Sequence, residues 1–330
     1  SKTNVEVYRD GLKLVREAAG EDVFLLGCNI AQNMRTLGAS IGLVDGMRIG
    51  RDIGEDWAKI LPAAQMGTRL YFLHGRVWQN DPDCLLLCRP LTLDQARAWA
   101  SWIALTGQLN VVSEWLPELP KEQRDMLKRT LPNHGRHARP LDLFERDFPQ
   151  IWHLPIDQAG LHWDLVGLFN WDAENAAALE IDLERLGLAE GSYVAFDYWD
   201  GKYLGAASRK QVIEVRPSAC RILALHRALD HPQIVSTSRH VTQGAVDLLD
   251  VVWDAERKVL SGVSRLVADD PYLLRVHVPE GWTLDKAACV AEGGEALKVE
   301  ISGDGACKNV GFVRTATTGQ AEWYITCSGG

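Results

Sequence analysis

Two short segments hold the residue types that acid–base chemistry needs. One is Met47-Arg48-Ile49-Gly50-Arg51-Asp52-Ile53-Gly54, with Arg48 and Asp52 four residues apart just after an apolar stretch. The other is Trp78-Gln79-Asn80-Asp81-Pro82-Asp83-Cys84, two carboxylates around a proline. Acids at neighbouring strand ends suit hydrolysis of a glycosidic bond, which takes a proton donor and a second carboxylate. Ordinary readings compete. An Arg/Asp pair at this spacing is often a salt bridge, and Asp81 is read as the cap of an Asx-turn in preference to a catalytic group. His134 and His137 stand three apart in a loop without a third ligand, so no metal is expected. His240 is assigned local hydrogen bonds, and Asp197 and Asp200 to a hairpin.

The elements that must carry these residues alternate at first. Thr3 and Glu6 form a capping box ahead of Val5, Tyr8, Leu12 and Val15, which recur at helical spacing up to Gly20. Val23 to Cys28 reads as a buried strand, and Gly42 to Ile49 holds a second, shorter one. Asp56 to Met66 reads as a helix that Pro62 should kink or split. Leu70 to Leu73 and Arg76 to Trp78 read as extended, and Cys84 to Cys88 as a buried strand. Thr92 and Gln95 form a second capping box, opening a helix to about Leu105. Leu109 to Ser113 is the next strand, and Pro120 to Leu131 an amphipathic helix. This alternation implies a parallel sheet with helices outside it, about four units long. In such a sheet the strand C-termini carry the site. No GxGxxG or GxxxxGK is present, so a phosphate loop is not expected.

After about Pro149 short apolar or alternating segments follow, among them 165–170, 193–198, 222–225, 246–253, 273–278, 296–301 and 322–326. Asp200-Gly201 is a hairpin signal. An antiparallel sandwich is expected for this part.

The 330 residues carry 35 Lys plus Arg and 44 Asp plus Glu, a net charge of −9. That acid excess argues against a nucleic-acid partner. No apolar run is long enough for a membrane helix, and the polar start carries no secretory signal. Seven cysteines, odd in number and scattered, do not fit a disulfide framework. A reducing, cytoplasmic setting is the expectation. The 12 Trp against 7 Phe and 7 Tyr fit either sugar stacking or core filling, and core filling is preferred for any single Trp.

Arg48-Ile49-Gly50-Arg51-Asp52-Ile53 followed by Trp57 resembles the acid/base segment of the clan D glycoside hydrolases, which include the α-galactosidases of families 27 and 36. Asn80-Asp81-Pro82-Asp83-Cys84-Leu85 resembles the Asn-Asp-Pro-Asp turn of the same group. Segment 91–107, Ser113 and Leu116 follow in the expected order. Val166 to Trp171 and Phe196 to Trp199 resemble the C-terminal sandwich of family 36-like enzymes. The resemblance implies half of a (β/α)8 barrel over 1–145 and a β-sandwich over 146–330. It implies Asp52 as general acid/base, with Arg48 binding sugar hydroxyls and holding Asp52. Cys28 and Asn29 would be sugar-binding groups, Asp83 would approach the sugar, and Trp78 would be a stacking wall. No cofactor is implied. An α-galactoside is the first substrate to expect. A silent sugar-binding or structural fragment, or a glycosyl-transferring relative like the raffinose synthases, are the other classes.

The resemblance also implies a gap. The nucleophile of the family lies on the fourth barrel strand, and Thr3 to Ala19 resembles the fourth helix. Four parallel strands cut from a barrel leave two raw edges and an apolar inner face. A separate N-terminal half, or a second copy closing the ring by twofold symmetry, should cover them. The homodimer is the preferred expectation. In it Glu114 would stand near the vacant nucleophile position.

Overall fold

The computed structural model describes residues 1–28, 37–303, 305–313 and 317–330. Asn29 lies outside them. The first part is mixed α and β. Helices α1 (Asn4–Ala19), α2 (Trp57–Arg69), α3 (Leu93–Thr106) and α4 (Lys121–Lys128) flank short strands. These strands are β1 (Leu26–Gly27), β2 (Gly46–Arg48), β3 (Gln79–Asp81), β4 (Cys84–Leu85) and β5 (Val111–Val112). β2 pairs in parallel with β1 on one side and β3 on the other. β4 pairs in parallel with β5. Leu109 N–H donates to Asn80 O at 2.9 Å, joining the β5 segment to β3 as well.

Both capping boxes form. The Thr3 and Thr92 side chains accept from the third helical amide, while Glu6 and Gln95 reach back to the cap. Pro62 does not split α2. Its missing N–H would have met the carbonyl of Ala58 on the exposed side, while Ile60, Ala63 and Ala64 are buried and hold that turn by packing. Three strands are shorter than the apolar runs that signal them, at 23–28, 42–49 and 84–88. Tyr71–Leu73 is a 3-10 turn instead of a strand. Short apolar runs do not distinguish strand from turn when both are packed.

From Arg139 on, the chain is antiparallel. Strands β6 (Arg139–Pro140), β7 (Ile151–Gln158), β8 (Leu161–Asn170), β9 (Ala177–Asp182), β10 (Tyr193–Asp197), β11 (Lys202–Ala207), β12 (Lys210–Val215) and β13 (Ala219–Arg227) come first. They make a six-stranded sheet in the order β11-β10-β13-β8-β7-β6 and a β9–β12 pair. The β10–β11 hairpin turns at Asp200-Gly201, where Gly201 takes φ 60°, as the dipeptide predicts. Then come β14 (Gln233–Thr237), β15 (Leu248–Asp254), β16 (Val259–Leu266), β17 (Tyr272–His277), β18 (Trp282–Ala291), β19 (Ala296–Ser302), β20 (Cys307–Val313) and β21 (Gly319–Gly329). They form one curled eight-stranded sheet around its own core of Leu274, Val276, Val310, Trp323 and Ile325.

The period of two along β8 and β13 explains their unbroken apolar character. Leu165, Phe169, Ile222 and Ala224 face the core shared with α3. Val166, Leu168, Leu223 and Leu225 face the β9–β12 pair. Both faces are covered, so no polar alternation survives. Tryptophan is the filler of the first core. Trp99 stacks on Trp102 at 5.3 Å, Trp102 meets Trp152 edge-on at 5.9 Å, and Trp57 stacks on Trp171 at 5.8 Å. The indole N–H of Trp57 donates to Trp171 O, and that of Trp171 to Pro149 O. Among the described residues no helix is long and apolar enough to cross a membrane, and no three His, Cys, Asp or Glu side chains gather as a metal site.

Candidate active site

Parallel strands share one direction, so the ends of β1, β2 and β3 lie along one rim. Arg48 is the last residue of β2 and Asp81 the last of β3, and the two are register partners. That pairing sets the Arg48 Nε to Asp81 Oδ2 distance at 3.0 Å. The same guanidinium reaches Asp52 Oδ1 through Nη1 at 3.0 Å and Asp83 Oδ1 through Nη2 at 3.0 Å. One arginine thus holds three carboxylates. Burial works to lower the Arg48 pKa, but Asp81 and Asp83 outweigh it and the guanidinium is held above its usual value.

The three acids differ in what else they do. Asp81 is 2% exposed, and its Oδ1 accepts from the Asp83 amide at 2.8 Å, the expected Asx-turn. Asp83 has φ 79°, a left-handed backbone that Asp tolerates better than most residues. This turn separates β3 from β4 and aims Asp83 back, where its Oδ2 accepts from Ile53 N at 2.7 Å. Asp83 therefore clamps the loop that carries Asp52. Asp52 itself is 82% exposed, oriented by Arg48 and otherwise open. A fixed, solvent-facing carboxylate of this kind can give or take a proton.

Cys28 follows β1 and is exposed; its thiol is close enough to Arg48 to act on its charge. Glu114 follows β5. Its Oε1 accepts from Leu87 N at 2.6 Å and Cys88 N at 2.9 Å, so it holds the chain after β4. Among the described residues no direct bond joins Glu114 to the Arg48 cluster. Trp78 corrects the expectation of a stacking wall. It precedes β3, at the opposite end of the strands, and is 3% exposed. It packs with Val44 and Met47 and gives its indole N–H to Asn80 Oδ1. Another tryptophan, Trp115, is 70% exposed beside Glu114. Nothing in residue type or spacing separates Trp115 from Trp78; only the assembled fold does.

The histidines find local partners. His240 Nδ1 meets Thr242 Oγ1 at 2.8 Å, as expected. His134 Nε2 meets Ala104 O at 2.7 Å, and His137 packs edge-on against His74. Asp197, expected in the hairpin alone, also pairs with Arg221.

No family model matches the sequence. Solved structures do match its fold. Alpha-galactosidase I from Mortierella vinacea is 12% identical with a TM-score of 0.52, over 69% of this chain and 65% of that one. A GH27 β-L-arabinopyranosidase from Geobacillus stearothermophilus is 15% identical with a TM-score of 0.56, over 68% of this chain and 55% of that one. The isomalto-dextranase of Arthrobacter globiformis T6, solved with panose, is 15% identical with a TM-score of 0.52, over 97% of this chain and 64% of that one. At these identities the likeness is one of fold. The chain spans between about half and two thirds of the length of these structures.

Proposed function

We propose that this chain carries part of the active site of a glycoside hydrolase. The observation that carries the reading is the Arg48 cluster: an exposed carboxylate, Asp52, held by a guanidinium that buried Asp81 and partly buried Asp83 fix in place. The fold of glycoside hydrolases of related architecture supports it. In this reading Asp52 protonates the leaving oxygen and then activates water. Arg48 and Asp83 position it, and Cys28 flanks the sugar. An α-galactoside is the first substrate to try, because alpha-galactosidase I is among the fold neighbours.

The parallel strands are read as half of a (β/α)8 barrel, residues 1–145 bearing the site and 146–330 supporting it. Further β/α units must then cover both edges. The supporting facts are apolar and exposed: Val7 and Leu14 on α1, Phe24 and Leu26 by β1, and Val111 on β5. A second copy of the chain is the occupant proposed, with Glu114 brought towards the other copy's Asp52.

Chromogenic α- and β-glycosides test this on material of measured solution mass. Asp52→Asn is expected to lower kcat by about 100- to 10,000-fold with little change in Tm. Unchanged turnover of a cleaved glycoside in Asp52→Asn removes Asp52 from the mechanism. A stable monomer with full activity removes the second copy.

A further inference from the structure

A cavity of about 250 Å³ lies where α3 and α4 meet the antiparallel sheets, and no member of the Arg48 cluster lines it. Arg97, Arg129 and Arg275 line it, with Tyr198, Trp199 and Ser238. Two of these arginines are matched. Arg129 is gripped by Asp270, Nη1 to Oδ2 at 2.6 Å and Nη2 to Oδ1 at 2.7 Å. Arg97 faces Glu122 at 3.9 Å and lies over the Trp199 ring at 5.7 Å. The remaining acid of the wall, Asp125, is taken by Lys121 at 2.5 Å.

Arg275, on β17, is left over. Its Nε and Nη1 are buried and make no hydrogen bond. Among the described residues no carboxylate pairs with it, and its guanidinium lies 5.0 Å from the centre of the Phe196 ring. Burial pulls its pKa down, against smaller opposing effects of Tyr198 and Cys307, and Arg129 adds to the downward pull. A buried cation without a counter-charge is a large debit to the folded state. An anion entering the cavity would remove that debit and meet guanidinium groups shaped for oxyanions.

We infer that this cleft binds a small oxyanion, a phosphate or carboxylate group, with Arg275 as its counter-charge. The cleft of about 250 Å³ has room for such a group. The inference is independent of the glycosidase reading and is tested without an activity assay.

Inorganic phosphate and glucuronate are titrated separately into the full chain at constant ionic strength, with sodium chloride as reference. Calorimetry and Tm are the readouts. At least one of the two is expected to bind and raise Tm; the one that does identifies the source of the oxyanion. Arg275→Gln is expected to weaken that binding at least about tenfold, and its ligand-free Tm should not fall, because an unpaired buried charge has gone. Arg97→Gln, at the cavity edge, is expected to weaken it several-fold and serves if Arg275→Gln fails to fold. The absence of heat and of a Tm shift with both anions overturns the site. Equal binding by the wild type and by the folded variants does so too.

Discussion

Helices α1 and α3 open with the same device and end in opposite surroundings. Each begins with a threonine cap answered by Glu6 or Gln95, so each satisfies its own first amides. Yet none of the 16 residues of α1 is buried, whereas 10 of the 14 in α3 are. Leu14 on α1 is 66% exposed, while Trp102 on α3 meets Trp99, Trp152 and Trp171. The contrast separates two tasks that a helix sequence performs. Capping defines where the helix starts; burial depends on what else arrives. α3 lies against β8 and β13, whereas α1 meets the short turn at Gly38–Ser40, where Arg9 donates to Ala39 O.

Replacing Trp102 by Ala should break the contrast most strongly. A stacked, fully buried indole is lost, and we expect a loss of about 3–5 kcal/mol, read by chemical denaturation. Acidification comes next. Burial holds His74, His134 and His226 down at about 4 and His240 at about 3, with His137 adding to the shift of His74 and His134 to that of His240. The unfolded chain takes up protons on these rings below about 6.5 while the folded chain refuses them. Stability is therefore full above about pH 6.5 and declines towards pH 4, by about 1–2 kcal/mol per histidine at pH 5. Asp247, pushed up to about 6 by burial, runs the other way, as do Asp197, raised by burial, and His162, raised against its own burial by Asp157 and Asp164; burial also lowers His137 and His277, so the lowered rings outnumber these groups. A Tm that holds constant from pH 7 to 5 would contradict this.

Gly67→Ala sharpens the packing side of the comparison. A Cβ there would meet Trp102 Cη2 at 2.4 Å and Ile49 Cδ1 at 3.0 Å. Overpacking of about 1–3 kcal/mol should exceed the helix-propensity gain of about 1 kcal/mol, so Tm falls. The caps give a smaller and more telling pair. Thr92→Ala should cost about 1 kcal/mol of global stability. Thr3→Ala should leave Tm nearly unchanged and appear as faster amide exchange confined to α1. Smallest of all, Leu14→Ser should change the stability of the isolated chain by no more than about 0.5 kcal/mol. The same substitution should lower the dimer fraction by ultracentrifugation, if a second copy sits on α1.

The chain reveals its local rules to a reader of residues alone. Both capping boxes, the Asp200-Gly201 turn, the Asx-turn of Asp81 and the change from parallel to antiparallel strands are all written within a few neighbouring positions, because the groups that satisfy one another there lie two to four residues apart. Strand lengths were less legible, since runs such as 84–88 are apolar for packing reasons that strand and turn share. The Arg48–Asp52 pair was legible from spacing. That Asp81 and Asp83 join it depends on the β2–β3 register and on one left-handed residue. Which tryptophan faces solvent, Trp115 and not Trp78, depends on the assembled fold. The stranding of Arg275 beside a cavity depends on helices and sheets meeting from distant parts of the chain. Neighbours in sequence fix hydrogen bonds and dihedrals; only the assembled fold decides which apolar stripe is covered and which charge is left without a partner.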